Sequence, residues 1–331
     1  MKKTKLVVAG VGHVGSYVLA NAMKLGLFSE IAVLDNKEGV AFGEALDWRH
    51  ATALTYMPNT SVKAGDYSEC ADADVIICAA GPRAGPSVLP SEKDEMPDRA
   101  GLARTNAAVV REVMTGITRY TKEAVIIFIT NPLDTIVYIA ENEFGYPKGR
   151  IFGTGTMLDS ARLRQIVAEN YSIDPKSVTG YMMGEHGFTS FPVFSRLNVQ
   201  GFREKELDSV FKGKEPLDRE AFRQKVVKTA FDVLNGKGWT NAGVAEAAVT
   251  LAKAVMLDEK SIYPVSATLH GQYGYNGDVA LSIPSVIGRN GIEQQLEIEL
   301  DEQETSWLHE SAKSIQNTMA SVKTGKSYIQ A

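Results

Sequence analysis

The chain has 331 residues, 44% of them hydrophobic, which is enough to bury a substantial core and to build two units of ordinary domain size. A formal net charge of −5 with mixed signs gives no basic footprint for nucleic acid, and no apolar run approaches the roughly 18 residues of a membrane span. The opening MKKTKLVVAG is basic and then apolar, but its apolar part is too short for a signal peptide and no small-residue cleavage site follows, so it reads as a short tail entering a strand.

In chain order, residues 5–9 (KLVVA) form a β-branched run, a glycine turn follows, and a helical pattern covers about 14–25. Residues 30–35 (EIAVLD) read as a second strand. Two further runs, 75–80 (VIICAA) and 125–130 (VIIFIT), are almost wholly apolar, as strands of a parallel sheet covered on both faces are. A helical pattern at about 106–120 separates them. Strands alternating with helices predict a doubly wound parallel-sheet (Rossmann) α/β domain over 1–152. The two cysteines, Cys70 and Cys78, lack a Cys-x-x-Cys or Cys/His spacing, so no metal is expected; Cys78 reads as a buried strand residue. That usage suits a reducing compartment, taken as the cytoplasm.

Residues 81–99 (GPRAGPSVLPSEKDEMPDR) hold four prolines and no periodicity. Loops this long are uncommon. This one leaves an apolar strand at the end where α/β sheets bind ligands, so it reads as a lid, with disorder as the alternative.

The second half, 153–331, reads as an α+β unit that would bind substrate. A helix covers about 156–170 and a strand-rich patch surrounds GEHG (184–187). Further helices lie at about 219–234 and 242–256, and 291–300 (GIEQQLEIEL) alternates like a half-buried strand. Asp301 and Glu304 have the spacing of a capping box for a last helix, on which Leu308, Ile315 and Met319 share one face.

Gly10, Gly12 and Gly15 set out G-x-G-x-x-G between a strand and a helix. In that context Gly10 permits the tight turn, Gly12 lets the backbone approach a pyrophosphate, and Gly15 lets helix and strand pack closely. Asp35, at the end of the next strand, could accept hydrogen bonds from ribose hydroxyls and repel a 2′-phosphate, which favours NAD. His13, inside the motif, reads as a solvated loop residue.

Carbonyl chemistry with a nicotinamide needs a proton donor, a cation to polarise the carbonyl, and an anchor for the substrate. His186, between Glu185 and Gly187, is the candidate donor, and a carboxylate partner would raise its pKa. Asp159 is the candidate partner, although Thr156 and Asp159 also fit a capping box. Arg162, three residues on, would be a surface ion pair or a carboxylate clamp.

These residues, with GVGHVG, the ITNPLD run from Ile129, GTGTMLDSARLR (Gly153 to Arg164), GEHG and KGWTN from Lys237, resemble the L-lactate/malate dehydrogenase family over nearly the whole chain, on the side of the bacterial L-lactate and L-2-hydroxyisocaproate dehydrogenases. The resemblance implies a reversible NAD-dependent reduction of a 2-oxo acid to its L-2-hydroxy acid in a homotetramer. His186 would be the proton donor and acceptor, Asp159 its support, and Arg162 the clamp on the substrate carboxylate. Asn131 would meet nicotinamide and substrate oxygen, and Thr240 would line the pocket. Arg99 is chosen as the mobile arginine, with Arg83 and Arg104 as competitors; Arg83 is assigned to the cofactor phosphates.

Two departures bear on specificity and regulation. The lid is about twice the length expected of a lactate enzyme, as unusual by loop statistics as within the family. Its tip, SEKDEMPD, is acidic and should repel a dicarboxylate. Counted without a gap, the position that carries an arginine in malate enzymes is Ala84. Pyruvate is therefore the first candidate, branched 2-oxo acids the second, and oxaloacetate disfavoured. Arg164 matches an arginine that binds fructose 1,6-bisphosphate in many bacterial members, but Thr179 stands in place of the accompanying histidine, so weak or absent activation is expected. The rivals are a non-catalytic nucleotide-binding protein on the same fold and an NAD-dependent glycosidase; the former needs none of Asp159, Arg162 and His186, and the latter calls for a metal site.

Overall fold

The computed structural model describes residues 3–82 and 99–322, without the side chains of residues 99 and 100. β1 (Lys5–Ala9) is buried along its whole length. Leu6 and Val8 join the core on one face of the sheet, Val7 and Ala9 that on the other, the period-2 alternation of a strand covered on both sides. After it come α1 (Gly15–Leu25), β2 (Glu30–Leu34), α2 (Val40–Ala51), β3 (Ser61–Ala64), β4 (Val75–Cys78), α3 (Arg99–Thr118), β5 (Val125–Phe128), α4 (Leu133–Glu143) and β6 (Ile151–Gly153). These six strands pair in parallel in the order β6-β5-β4-β1-β2-β3. The chain moves outward from β1 in both directions, so the crevice at its carboxyl end is the switch point where such sheets bind ligands. This is the doubly wound sheet that the alternating apolar runs predict.

The second half contains α5 (Met157–Tyr171), five two-residue strands, β7 (Val178–Thr179), β8 (Met182–Met183), β9 (Phe191–Pro192), β10 (Asn198–Val199) and β11 (Phe202–Arg203), then α6 (Glu204–Val210), α7 (Arg219–Lys237), α8 (Ala242–Leu257), β12 (Ser261–His270), β13 (Asn276–Gly288), β14 (Gly291–Gln295) and α9 (Glu302–Val322). β12, β13 and β14 add in antiparallel fashion beside β6, giving a nine-stranded sheet. β12 and β13 are the longest strands described, yet the sequence reading passes over both. Each contains a proline, Pro264 and Pro284, paired directly opposite each other, and proline argues against an interior strand. The alternating run from Gly291 stops at Gln295, short of the expected residue 300.

Helices α1 and α8 cover one face of the parallel sheet through Val18, Leu19, Met23, Val249, Leu251 and Val255. Helices α3 and α4 cover the other through Val110, Met114, Ile136 and Val137. α8 thus comes from the second half of the sequence but packs on the first half's sheet. A third core joins α5, α7, α9 and β13, with Leu163, Phe222, Leu281, Leu308, Ile315 and Met319 all buried. The expected capping box opens α9: the Glu304 amide donates to Asp301 Oδ1 at 2.9 Å and the Asp301 amide to Glu304 Oε2 at 3.1 Å.

Candidate active site

The glycine turn leaves β1 with the Gly10 amide donating to Leu34 O at 2.7 Å. A Cβ on Gly15 would lie 1.8 Å from Gly10 O, so only glycine lets α1 start this close to β1. A Cβ on Gly12 would meet nothing within 4 Å, which leaves its backbone open to a ligand. The N-terminus of α1 has no side-chain cap, so first-turn N–H groups remain for an anion. Asp35 stands beside this turn: its Oδ2 accepts from the Val11 amide at 3.0 Å and its Oδ1 from the Lys37 amide at 2.9 Å. The turn, the uncapped helix start and the acid fit a dinucleotide.

On the other side of the crevice, Asp159 lies in the first turn of α5 and His186 in the loop between β8 and β9. Their rings and carboxylates meet, with His186 Nδ1 2.8 Å from Asp159 Oδ2. An ionised carboxylate only accepts, so Nδ1 carries the proton and Nε2 is the ring nitrogen not engaged by Asp159. Arg162 Nη1 donates to the second oxygen, Oδ1, also at 2.8 Å. The capping alternative for Asp159 is not realised. Thr156 makes no side-chain cap; its hydroxyl donates to Met182 O at 2.6 Å, and the Met182 amide donates to Ser160 Oγ at 2.9 Å. Those two bonds tie the start of α5 to β8 and so hold the histidine loop against the acid. Gly184, with φ of 88°, turns the chain into that loop where a Cβ would strike Ser311.

Electrostatics follow from this packing. Burial by itself would raise the Asp159 carboxyl, but the His186 and Arg162 cations hold it below the usual carboxylate range. Burial would lower His186, and Arg162 opposes its charge too, yet Asp159 and Asp134 raise it above 6.5. Asp134, the last residue of the ITNPLD run, is given no role by the sequence reading. It is 3% exposed, accepts the His186 amide at 2.8 Å and the Ser266 hydroxyl at 2.6 Å, and is pushed up to about 6 by burial. The only signal in the sequence is its place three residues after Asn131. An imidazolium, a buried anion behind it and a guanidinium beside it can donate a proton to an oxyanion and grip a carboxylate.

Asn131 lies exposed just past β5, at the same end of the sheet as the glycine turn, and its carbonyl accepts from Asn106 Nδ2 at 2.6 Å. Asn106 also donates to Pro82 O at 3.1 Å, bracing the loop at the base of the lid; the sequence reading used it only to count from Arg99. Thr240 sits half-buried in the turn between α7 and α8, and α8 approaches α5 so closely there that a Cβ on Gly243 would meet Leu158 at 2.5 Å. Arg99 begins α3, but its side chain, like the whole of Arg83 and most of the 81–99 lid, lies outside the described residues. Arg104 is exposed and lines a separate cavity with Tyr67, Arg111 and Arg119. His13 is exposed in the turn, as expected of a solvated loop residue, but its ring is not free: it stacks on Trp239 at 4.0 Å between centroids and 5° between planes.

The first half, residues 4–153, matches the family model of the lactate/malate dehydrogenase NAD-binding domain, and residues 156–325 match that of the α/β C-terminal domain. The chain belongs to the lactate/malate dehydrogenase family. Within it, the glycine turn and Asp35 fall in the NAD-binding domain, and Asp159, Arg162 and His186 in the C-terminal domain. L-lactate dehydrogenase 2 of Clostridium acetobutylicum is 44% identical over 98% of this chain and 99% of its own length. The L-lactate dehydrogenase of Selenomonas ruminantium is 43% identical over 96% and 97%. Among solved structures, the minor L-lactate dehydrogenase of Enterococcus mundtii in ligand-bound form superposes with a TM-score of 0.88 at 29% identity, covering 98% of this chain and 100% of that one.

Proposed function

We propose that this family member catalyses the NAD-dependent, reversible reduction of a 2-oxo monocarboxylic acid to its L-2-hydroxy acid, with pyruvate and L-lactate as the first pair. The observation that carries the reading is the contact of Asp159 with both His186 Nδ1 and Arg162 Nη1, each at 2.8 Å. When bound, the cofactor supplies the hydride. His186 gives the proton from Nε2 to the substrate oxygen and keeps the one on Nδ1, which Asp159 holds in place. In the reverse direction the neutral ring takes the proton back. Arg162 uses Nη1 on Asp159 and offers the rest of its fork to the substrate carboxylate. Asn131 contacts the nicotinamide and the substrate oxygen, Thr240 borders the side-chain pocket, and Arg99 is the lid arginine that polarises the carbonyl. Gly10, Gly12 and Gly15 seat the pyrophosphate, Asp35 the ribose, and Arg83 the phosphates.

The names of the relatives support pyruvate, and the acidic lid argues against a dicarboxylate. A branched acid of the 2-oxoisocaproate type is the second reading, favoured by the lid's length. Comparison of kcat/KM for pyruvate, 2-oxoisocaproate and oxaloacetate with NADH tests both; a preference for oxaloacetate overturns them. Residues 1–152 and 153–331 form the cofactor and substrate domains of a cytoplasmic homotetramer. Arg164 and Thr179 are both exposed on the second half, where a threonine offers no charge to a phosphate. Fructose 1,6-bisphosphate should therefore change the pyruvate KM little, and a large drop overturns that part.

A further inference from the structure

Trp239 directly precedes Thr240 in the turn that joins α7 to α8. Inside the turn the restraints are local: Lys237 Nζ donates to Asn241 Oδ1 at 2.7 Å, and the Asn241 side chain caps α8 through the Ala242 amide at 2.9 Å. The helix leading into it is anchored by burial at its start and, further on, by Phe231, whose ring stacks on Phe188 at 5.2 Å between centroids. The residues that α7 buries, Phe222, Arg223 and Val226, all lie in its first half, far from Lys237. The nucleotide-binding half meets α8 through the core that α8 shares with α1, where Ala245 is buried and Val244 packs at its edge, and through polar and ring contacts nearer the turn. Asn21 of α1 donates to Glu246 at 3.0 Å, more than one helical turn past Thr240, and Tyr17 lies 6.0 Å below Lys237 Nζ. His13 reaches the residue next to Thr240, ring on ring at 4.0 Å. It does so from within the glycine turn, whose backbone the dinucleotide must approach. His13 is exposed and Trp239 half-buried, so burial of a core does not account for the stack.

We propose that His13 is a positioning residue for the substrate pocket: its stack on Trp239 fixes the turn that presents Thr240 relative to the dinucleotide loop. The inference rests on the 2-oxo acid reading given above. An aromatic pair of this kind amounts to roughly a three- to tenfold effect in an equilibrium. His13→Ala should therefore raise the pyruvate KM roughly three- to tenfold, with a smaller change in the NADH Kd measured by cofactor fluorescence. His13→Phe retains a ring and should bring the KM back towards that of the unaltered protein. In a Thr240→Ala background the His13→Ala effect should vanish, because the route through Thr240 is gone.

A pyruvate KM within twofold of the unaltered protein in His13→Ala overturns the proposal. So does an equal rise in the NADH Kd without rescue by phenylalanine, or an undiminished effect in the Thr240→Ala background. If the unaltered protein reduces none of the 2-oxo acids, the functional reading fails first and takes this inference with it. An active protein indifferent to His13 sinks the inference alone.

Discussion

His186 keeps 22% of its side chain exposed beside an Asp159 side chain that keeps 8%, so the ring can reach a substrate while its counterion stays dry. His186→Gln preserves size but cannot deliver the proton; turnover of pyruvate should fall about a hundredfold or more, while NADH binding, read by fluorescence titration, persists. Because the histidine is raised above 6.5, its cation survives to higher pH, and reduction slows as pH climbs through that raised value. Asp159→Asn withdraws the larger of its two supporting anions and should move the alkaline limb of kcat/KM to lower pH; a limb that stays in place refutes the assignment. Asp134→Asn, which keeps an oxygen for the His186 amide, should move it in the same direction by less. The same shifts act on folding. The raised histidine stabilises fully below its ordinary 6.5 and loses this as pH rises through the folded value; the depressed Asp159 stabilises above its ordinary 3.8 and loses this in acid. The pair therefore helps most between those two values. At this scale the sequence pattern brought Asp159, Arg162 and His186 into view because each is chemically conspicuous. Asp134 stayed hidden, since its task is to hold a backbone amide and no spacing announces that.

Among the elements, α9 depends on its first turn. Glu304 is fully buried, taking the Ser195 amide and hydroxyl at 2.8 Å each as well as the Asp301 amide. Glu304→Ala leaves these donors without their acceptor and should cost about 3 kcal/mol, measurable as a lower urea midpoint. The Asp301–Glu304 spacing was readable because a cap is a local device. Lys5 shows the opposite case. It opens the hydrophobic run KLVVA and is 4% exposed, with Glu69 at 2.7 Å and Glu30 at 3.3 Å from its Nζ, alongside Asp72. Nothing in KLVVA indicates partners some 25 to 67 residues away, so the burial and pairing of this strand's first residue could not be read locally. β12 and β13 were missed for a related reason. Their pairing is long-range, and the prolines that discourage a strand reading face each other in the ladder.

For the molecule as a whole, α2 and the segment after it carry Phe42, Leu54 and Tyr56 at 61%, 67% and 97% exposure. Apolar side chains this open on one region suit a surface covered by another subunit. Phe42→Glu should therefore lower the mass of the assembly seen by light scattering; an unchanged mass would separate this region from assembly. The nine-stranded order was only partly foreseeable, because apolar runs identify β1, β2, β4 and β5 but neither the short β3 and β6 nor the antiparallel strands beyond β6. The return of α8 onto the parallel sheet has a practical consequence. A gene cut after residue 152 would yield a polypeptide whose Leu6, Val8, Ile77 and Ile127 had lost part of their roof. Such a fragment should clump rather than bind dinucleotide, so cofactor affinity has to be studied in the uncut chain.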